Sequence, residues 1–97
     1  MYIDSMPPKA RLKMLYNIGM VRAGVQDPRI FKKLSNTDIW EFRAEYASAE
    51  YRLLSFWDKT KSSLVIATHG FGKKSQKTPK SEIAHAENIR KEYYKTR

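Results

Sequence analysis

Trp40-Glu41-Phe42-Arg43-Ala44-Glu45-Tyr46 alternates apolar and charged residues, the pattern of a β-strand with one apolar face. Tyr51 to Asp58 follows with aromatic and apolar residues on both parities, as expected of a strand covered on both sides. Ala47-Ser48-Ala49-Glu50 between them is the reversal. Asp58-Lys59-Thr60-Lys61 turns the chain again, and Ser63 to Phe71 makes a third strand. Strands joined by such short turns predict an antiparallel meander.

Helical signals flank this core. Asp4-Ser5-Met6-Pro7-Pro8 reads as a helix start, since a Ser or Asp cap satisfies free amides and proline is tolerated in the first turn. Leu12, Leu15, Ile18, Val21 and Val25 then recur at helical spacing, predicting an amphipathic helix that ends near Gly24. Asp27-Pro28 restarts the signal, and Ile30, Phe31 and Leu34 predict a short helix or turn that Ser35-Asn36 breaks. Thr78 as N-cap and Pro79 at the first helical position open a last helix, with Ile83, Ala86, Ile89 and Tyr93 as its apolar stripe. The expected architecture is one α+β domain over residues 1–97: helix, short helix, three antiparallel strands, helix. One sheet face is left available for a ligand.

Charge points to the class of that ligand. The net charge is +9, and from Phe71 onward eight lysines and arginines stand against three acids. Between residues 59 and 81 there are six lysines and no acid. Cations held this close repel one another, and a bound polyanion relieves the repulsion. The chain has no cysteine, which excludes disulfides, thiolate nucleophiles and cysteine-based metal sites. Its longest apolar run, Leu64-Val65-Ile66-Ala67, is too short to span a bilayer, and no signal segment opens the chain. The default location is therefore cytoplasmic.

Three blocks together carry a resemblance. Ile39-Trp40-Glu41-Phe42-Arg43, Tyr51-Arg52-Leu53-Leu54-Ser55-Phe56, and His69-Gly70-Phe71-Gly72-Lys73-Lys74-Ser75-Gln76-Lys77-Thr78-Pro79 with Glu82-Ile83 and Ala86 resemble the phage-derived HigB-like branch of the RelE/ParE toxin superfamily. The resemblance implies a RelE-like fold and the toxin of a type II toxin–antitoxin pair. It implies a metal-independent mRNA endoribonuclease without cofactors, acting on the ribosome to inhibit translation and neutralised by a helix-turn-helix antitoxin. Relatives generally have an N-terminal strand ahead of the position matching Met1, so an N-terminally shortened domain is expected, with a homodimer as one way to cover the exposed edge. The rival reading is a truncated, catalytically inactive relative that binds RNA or the antitoxin.

Metal-free RNA cleavage needs a base for the 2′-hydroxyl, cations for the phosphate and an acid for the leaving oxygen. Arg52, Lys73, Lys74 and His69 form the expected catalytic set, and Arg43, Lys77, Thr78 and Tyr94 the RNA-contacting set. Each has a plainer alternative. Arg43 fits a solvated charge ladder with Glu41 and Glu45. Arg52 fits a structural ion pair, because an idle cation in an apolar strand is costly. His69 fits a hydrogen-bonded strand end, and Thr78 a helix cap. Tyr94 offers a ring for base stacking, whereas Tyr93 lies on the apolar stripe. Trp40, Phe42, Phe56 and Trp57 read as core.

Overall fold

The computed structural model describes residues 6–61, 63–73 and 78–96, and along 64–73 the backbone alone. The caps expected from Asp4 and Ser5, together with Lys74 and Lys77, lie outside the described residues.

Pro8 opens α1 (Pro8–Arg22) at the first helical position, where the amide that proline lacks is not needed. Gly24 closes the helix in the left-handed region, φ 97°, which lets the Val25 amide turn back to the Met20 carbonyl at 3.0 Å. The buried stripe of α1 differs from the expected one. Ala10 and Met14 are fully buried with Ile18 and Val21 packed beside them, whereas Leu12 is 65% and Leu15 46% exposed. The helix is apolar on two sides, so spacing alone does not choose between them. Ala10 lets the backbone approach the sheet closely, and the unbranched Met14 fills the remaining gap.

The segment after Asp27 is a turn, as one alternative had it, but no short helix follows. The Asp27 carboxylate accepts the Arg29 amide at 2.9 Å, and its carbonyl accepts the amides of Ile30 and Phe31. Phe31–Lys33 then forms an edge strand, β1, that pairs antiparallel with β2 (Trp40–Tyr46). A strand this short has no legible period. It is held by Phe31, whose ring lies 4.8 Å from Trp40 and 4.4 Å from Phe42. β3 (Ala49–Asp58) and β4 (Ser63–Lys73) complete a four-stranded antiparallel sheet in the order β1-β2-β3-β4, one strand more than expected. Ala47 and Ser48, both with positive φ, make the tight β2–β3 turn.

The sheet is sandwiched. Phe42, Ala44 and Leu53 pack against α1, and Ile39, Leu54 and Phe56 pack against α2 (Lys80–Thr96). Ile83, Ala86, Ile89 and Tyr93 form the inner stripe of α2, as expected. The start of α2 differs: Lys80 begins the helix, and the Pro79 carbonyl accepts the first amides, from Glu82 and Ile83. Thr78 stands one position too early to cap it.

The two sides of α1 predict opposite sensitivities. Met14→Ala is expected to destabilise the fold by about 2–5 kcal/mol, and Leu12→Ala to change it by no more than about 0.5 kcal/mol. Denaturant unfolding of the two variants checks this; equal losses would place the wrong stripe against the sheet.

Candidate functional site

Alternation along β2 puts Glu41, Arg43 and Glu45 on the face that α2 covers, and the β2–β3 register sets Arg52 directly opposite Arg43. Like charges facing each other across a ladder repel. One carboxylate removes the conflict. Glu41 Oε1 accepts from Arg43 Nε at 2.8 Å and from Arg52 Nη1 at 2.6 Å, while Arg52 Nη2 donates to Glu50 Oε1 at 3.0 Å. Glu41 Oε2 accepts the hydroxyl of Thr78. Two guanidinium groups are thereby matched by two carboxylates, as burial requires.

The face expected to be open is therefore closed at this point. Glu41 and Arg52 have no exposed surface, and Thr78 is nearly buried above them. Burial pushes the Glu41 carboxyl up, but the hydrogen bonds from Thr78 and Arg43 and the charge of Arg52 outweigh it and hold the group below its ordinary range. Arg52 Nε, though buried, finds no hydrogen-bond partner among the described residues. In this state Arg52 cannot touch a ligand. Arg43 can: its side chain stays 25% exposed, and only its Nε is engaged among the described residues.

β4 carries the next two candidates by register. Lys73 stands opposite Glu50, and Phe71 opposite Arg52. Between Leu53 and Ser55 the ladder slips, so that Leu54 on β3 faces Ala67, Thr68 and His69 on β4. His69 thus sits in a bulge, a device that re-aims a strand. Its side chain and that of Lys73 lie outside the described residues. Tyr94 is held elsewhere, about 20 Å along α2 from Lys80. Its hydroxyl donates to the Trp57 carbonyl at 2.8 Å, and the Arg90 guanidinium lies 5.2 Å from its ring centroid. Trp57 is 37% exposed, unlike the buried Phe42 and Phe56.

Beside the Glu41 network lies a hollow of about 540 Å³ between β1, the β1–β2 turn and the first turn of α2. Lys32, Lys33, Arg43, Asn36, Thr78 and Lys80 line it, with no acidic residue among the described residues of its walls. Sequence reasoning missed Lys32 and Lys33, and counted Lys80 only as one of the six lysines between residues 59 and 81. Lys32-Lys33 sat in a segment read as turn or helix, and only the fold brings it to Lys80. Among the described residues no group of three acids or histidines is placed to hold a metal ion, and no helix is long and apolar enough to cross a membrane.

Glu41 should govern both stability and its pH dependence. A carboxyl whose folded pKa is depressed contributes stability that is present above its unfolded value and lost as the pH falls through the folded one. Glu41→Gln leaves Arg52 buried without its main partner, so a loss of about 3–5 kcal/mol at neutral pH is expected. The variant should also show a flatter decline in acid. Unfolding curves across the acid range check this; an unchanged acid limb would remove Glu41 from the account.

A family model described as phage derived protein Gp49-like matches residues 1–91. No curated protein and no solved structure matches the chain.

Proposed function

The chain belongs to the phage-derived Gp49-like family, which is part of the RelE/HigB-like toxins, and from that premise we propose that it is the toxin of a type II toxin–antitoxin pair that cleaves mRNA without a metal. The observation that carries the reading is Arg43, an arginine fixed by a buried carboxylate at the rim of an acid-free, lysine-lined hollow. Such a group is preorganised for a phosphodiester: oriented in advance, partly exposed, with donors left over.

In the proposed reaction the 2′-oxygen attacks the adjacent phosphorus and the bond to the 5′-oxygen breaks, leaving a cyclic phosphate and a free 5′-hydroxyl. One of His69, Lys73 and Lys74 takes the 2′ proton, and another delivers a proton to the leaving oxygen. Arg43 stabilises the charge on phosphorus. Arg52 acts through Glu41 as a positioning residue, holding the carboxylate that aims Arg43. Lys77, outside the described residues, is kept among the proposed RNA contacts on the strength of the resemblance.

The proposed partners are mRNA on the ribosome and a helix-turn-helix antitoxin, which places the action in the cytoplasm. The outward Leu12, Leu15 and Tyr16 on α1 support a protein partner, antitoxin or second copy. One observation favours the rival reading of a binding module without catalysis: Arg52 is wholly buried and neutralised.

Induced expression is expected to arrest growth, and Lys73→Ala to relieve the arrest while the purified variant keeps the wild-type melting temperature. Primer extension on mRNA with and without ribosomes locates the cuts. Undisturbed growth at confirmed wild-type expression, with intact transcripts, would reject the nuclease and leave the binding module.

A further inference from the structure

Some cations of this fold are already answered by carboxylates. Arg29 pairs with Asp27, Arg52 with Glu41 and Glu50, Arg90 with Asp38, and Lys95 with Glu92. Lys32, Lys33 and Lys80 are among the cations without such a partner, and these three are gathered in one place. None has an acidic partner among the described residues, and all three line the hollow that Arg43 borders. Three unpaired lysines around one concavity, with Arg43 held by Glu41 at its border, raise its potential above that of scattered surface lysines.

The walls are preorganised. The ladder holds the edge strand: Lys32, opposite Glu41, shares the face of Arg43, and Lys33, opposite Trp40, ends the strand on its other face and borders the hollow at the rim. The turn that follows is pinned at both ends: the Leu34 amide donates to the Ile39 carbonyl at 2.9 Å, and the Thr37 hydroxyl donates to the Leu34 carbonyl at 2.8 Å. Thr37 Oγ1 in turn accepts the Ile39 amide at 3.0 Å. Across the hollow, the bond from Thr78 to Glu41 ties down the approach to α2 and so places Lys80. The positive end of a long helix adds to the field of the lysines.

We propose that this hollow binds consecutive phosphates of a single RNA strand, with Lys32, Lys33 and Lys80 as the contacting cations and Arg43 as the link to the sheet face. The proposal rests on the RNA-binding reading above and names a subsite that the reading leaves open. Its volume lies in the range of sites that hold ligands of nucleotide size. A lone carboxylate ligand would leave most of the three lysines unanswered, whereas successive phosphodiesters answer them one by one. Lysine suits such a track, since it meets a phosphate as a mobile point charge without demanding one geometry.

The test measures anisotropy of a short, labelled, cleavage-resistant single-stranded RNA across a salt series. Each of Lys32→Ala, Lys33→Ala and Lys80→Ala is expected to lower the slope of log affinity against log salt by about 0.7, the single-strand value per lost contact. Lys91→Ala, outside the hollow, should leave the slope unchanged, and melting temperatures should match the wild type throughout. An unchanged slope in the triple variant, or no RNA binding by the wild type, overturns the proposal. A second arm titrates inorganic phosphate: phosphate binding abolished by the triple variant with the RNA slope intact assigns the hollow to a small phosphate ligand and also overturns it. Growth arrest by a wild-type chain whose triple variant keeps its slope sinks this subsite alone. A lowered slope without growth arrest or cleavage sinks the nuclease alone.

Discussion

A single buried carboxylate decides how this face of the sheet is built. Glu41 takes two arginines on one oxygen and a threonine hydroxyl on the other, joining β2, β3 and the approach to α2. Without it, Arg43 and Arg52 would face each other across the ladder with nothing between them. The interaction also sorts the two arginines by role. Arg52 becomes the buried member that fixes the carboxylate, and Arg43 the half-exposed member that the carboxylate aims.

The network divides the sheet face into two zones. Toward the far end of α2, Leu54 and Phe56 meet Ala86, Ile89 and Tyr93 in an apolar contact, with the Tyr93 hydroxyl donating to the buried Asp58 carboxylate. Toward the start of α2 the contact is polar and gives way to the lysine-lined hollow. A polyanion can approach the lysine-lined hollow without disturbing the apolar contact.

Much of this was legible before folding. Alternation identified β2, apolar residues on both parities identified a doubly covered β3, and the Ile83, Ala86, Ile89 and Tyr93 spacing identified the inner face of α2. The failures share a cause. β1 has too few residues to show a period and exists because Phe31 stacks on Trp40 and Phe42. The outward Leu12 and Leu15 have the same spacing as a buried pair, and the competition was settled by how closely Ala10 lets α1 approach the sheet. Thr78-Pro79 has the look of a helix cap, yet its hydroxyl goes to a carboxylate 37 residues away. Local pattern carries no trace of such a partner.

By itself the sequence determined the basic character of the chain, the resemblance to a toxin family and the alternation that builds the sheet, because these depend on residue type and near-neighbour spacing. Only the tertiary structure decided which cations are neutralised and which stay available. Charge compensation depends on distance in space, and Lys32, Lys33 and Lys80 become neighbours only after the edge strand has paired and α2 has docked.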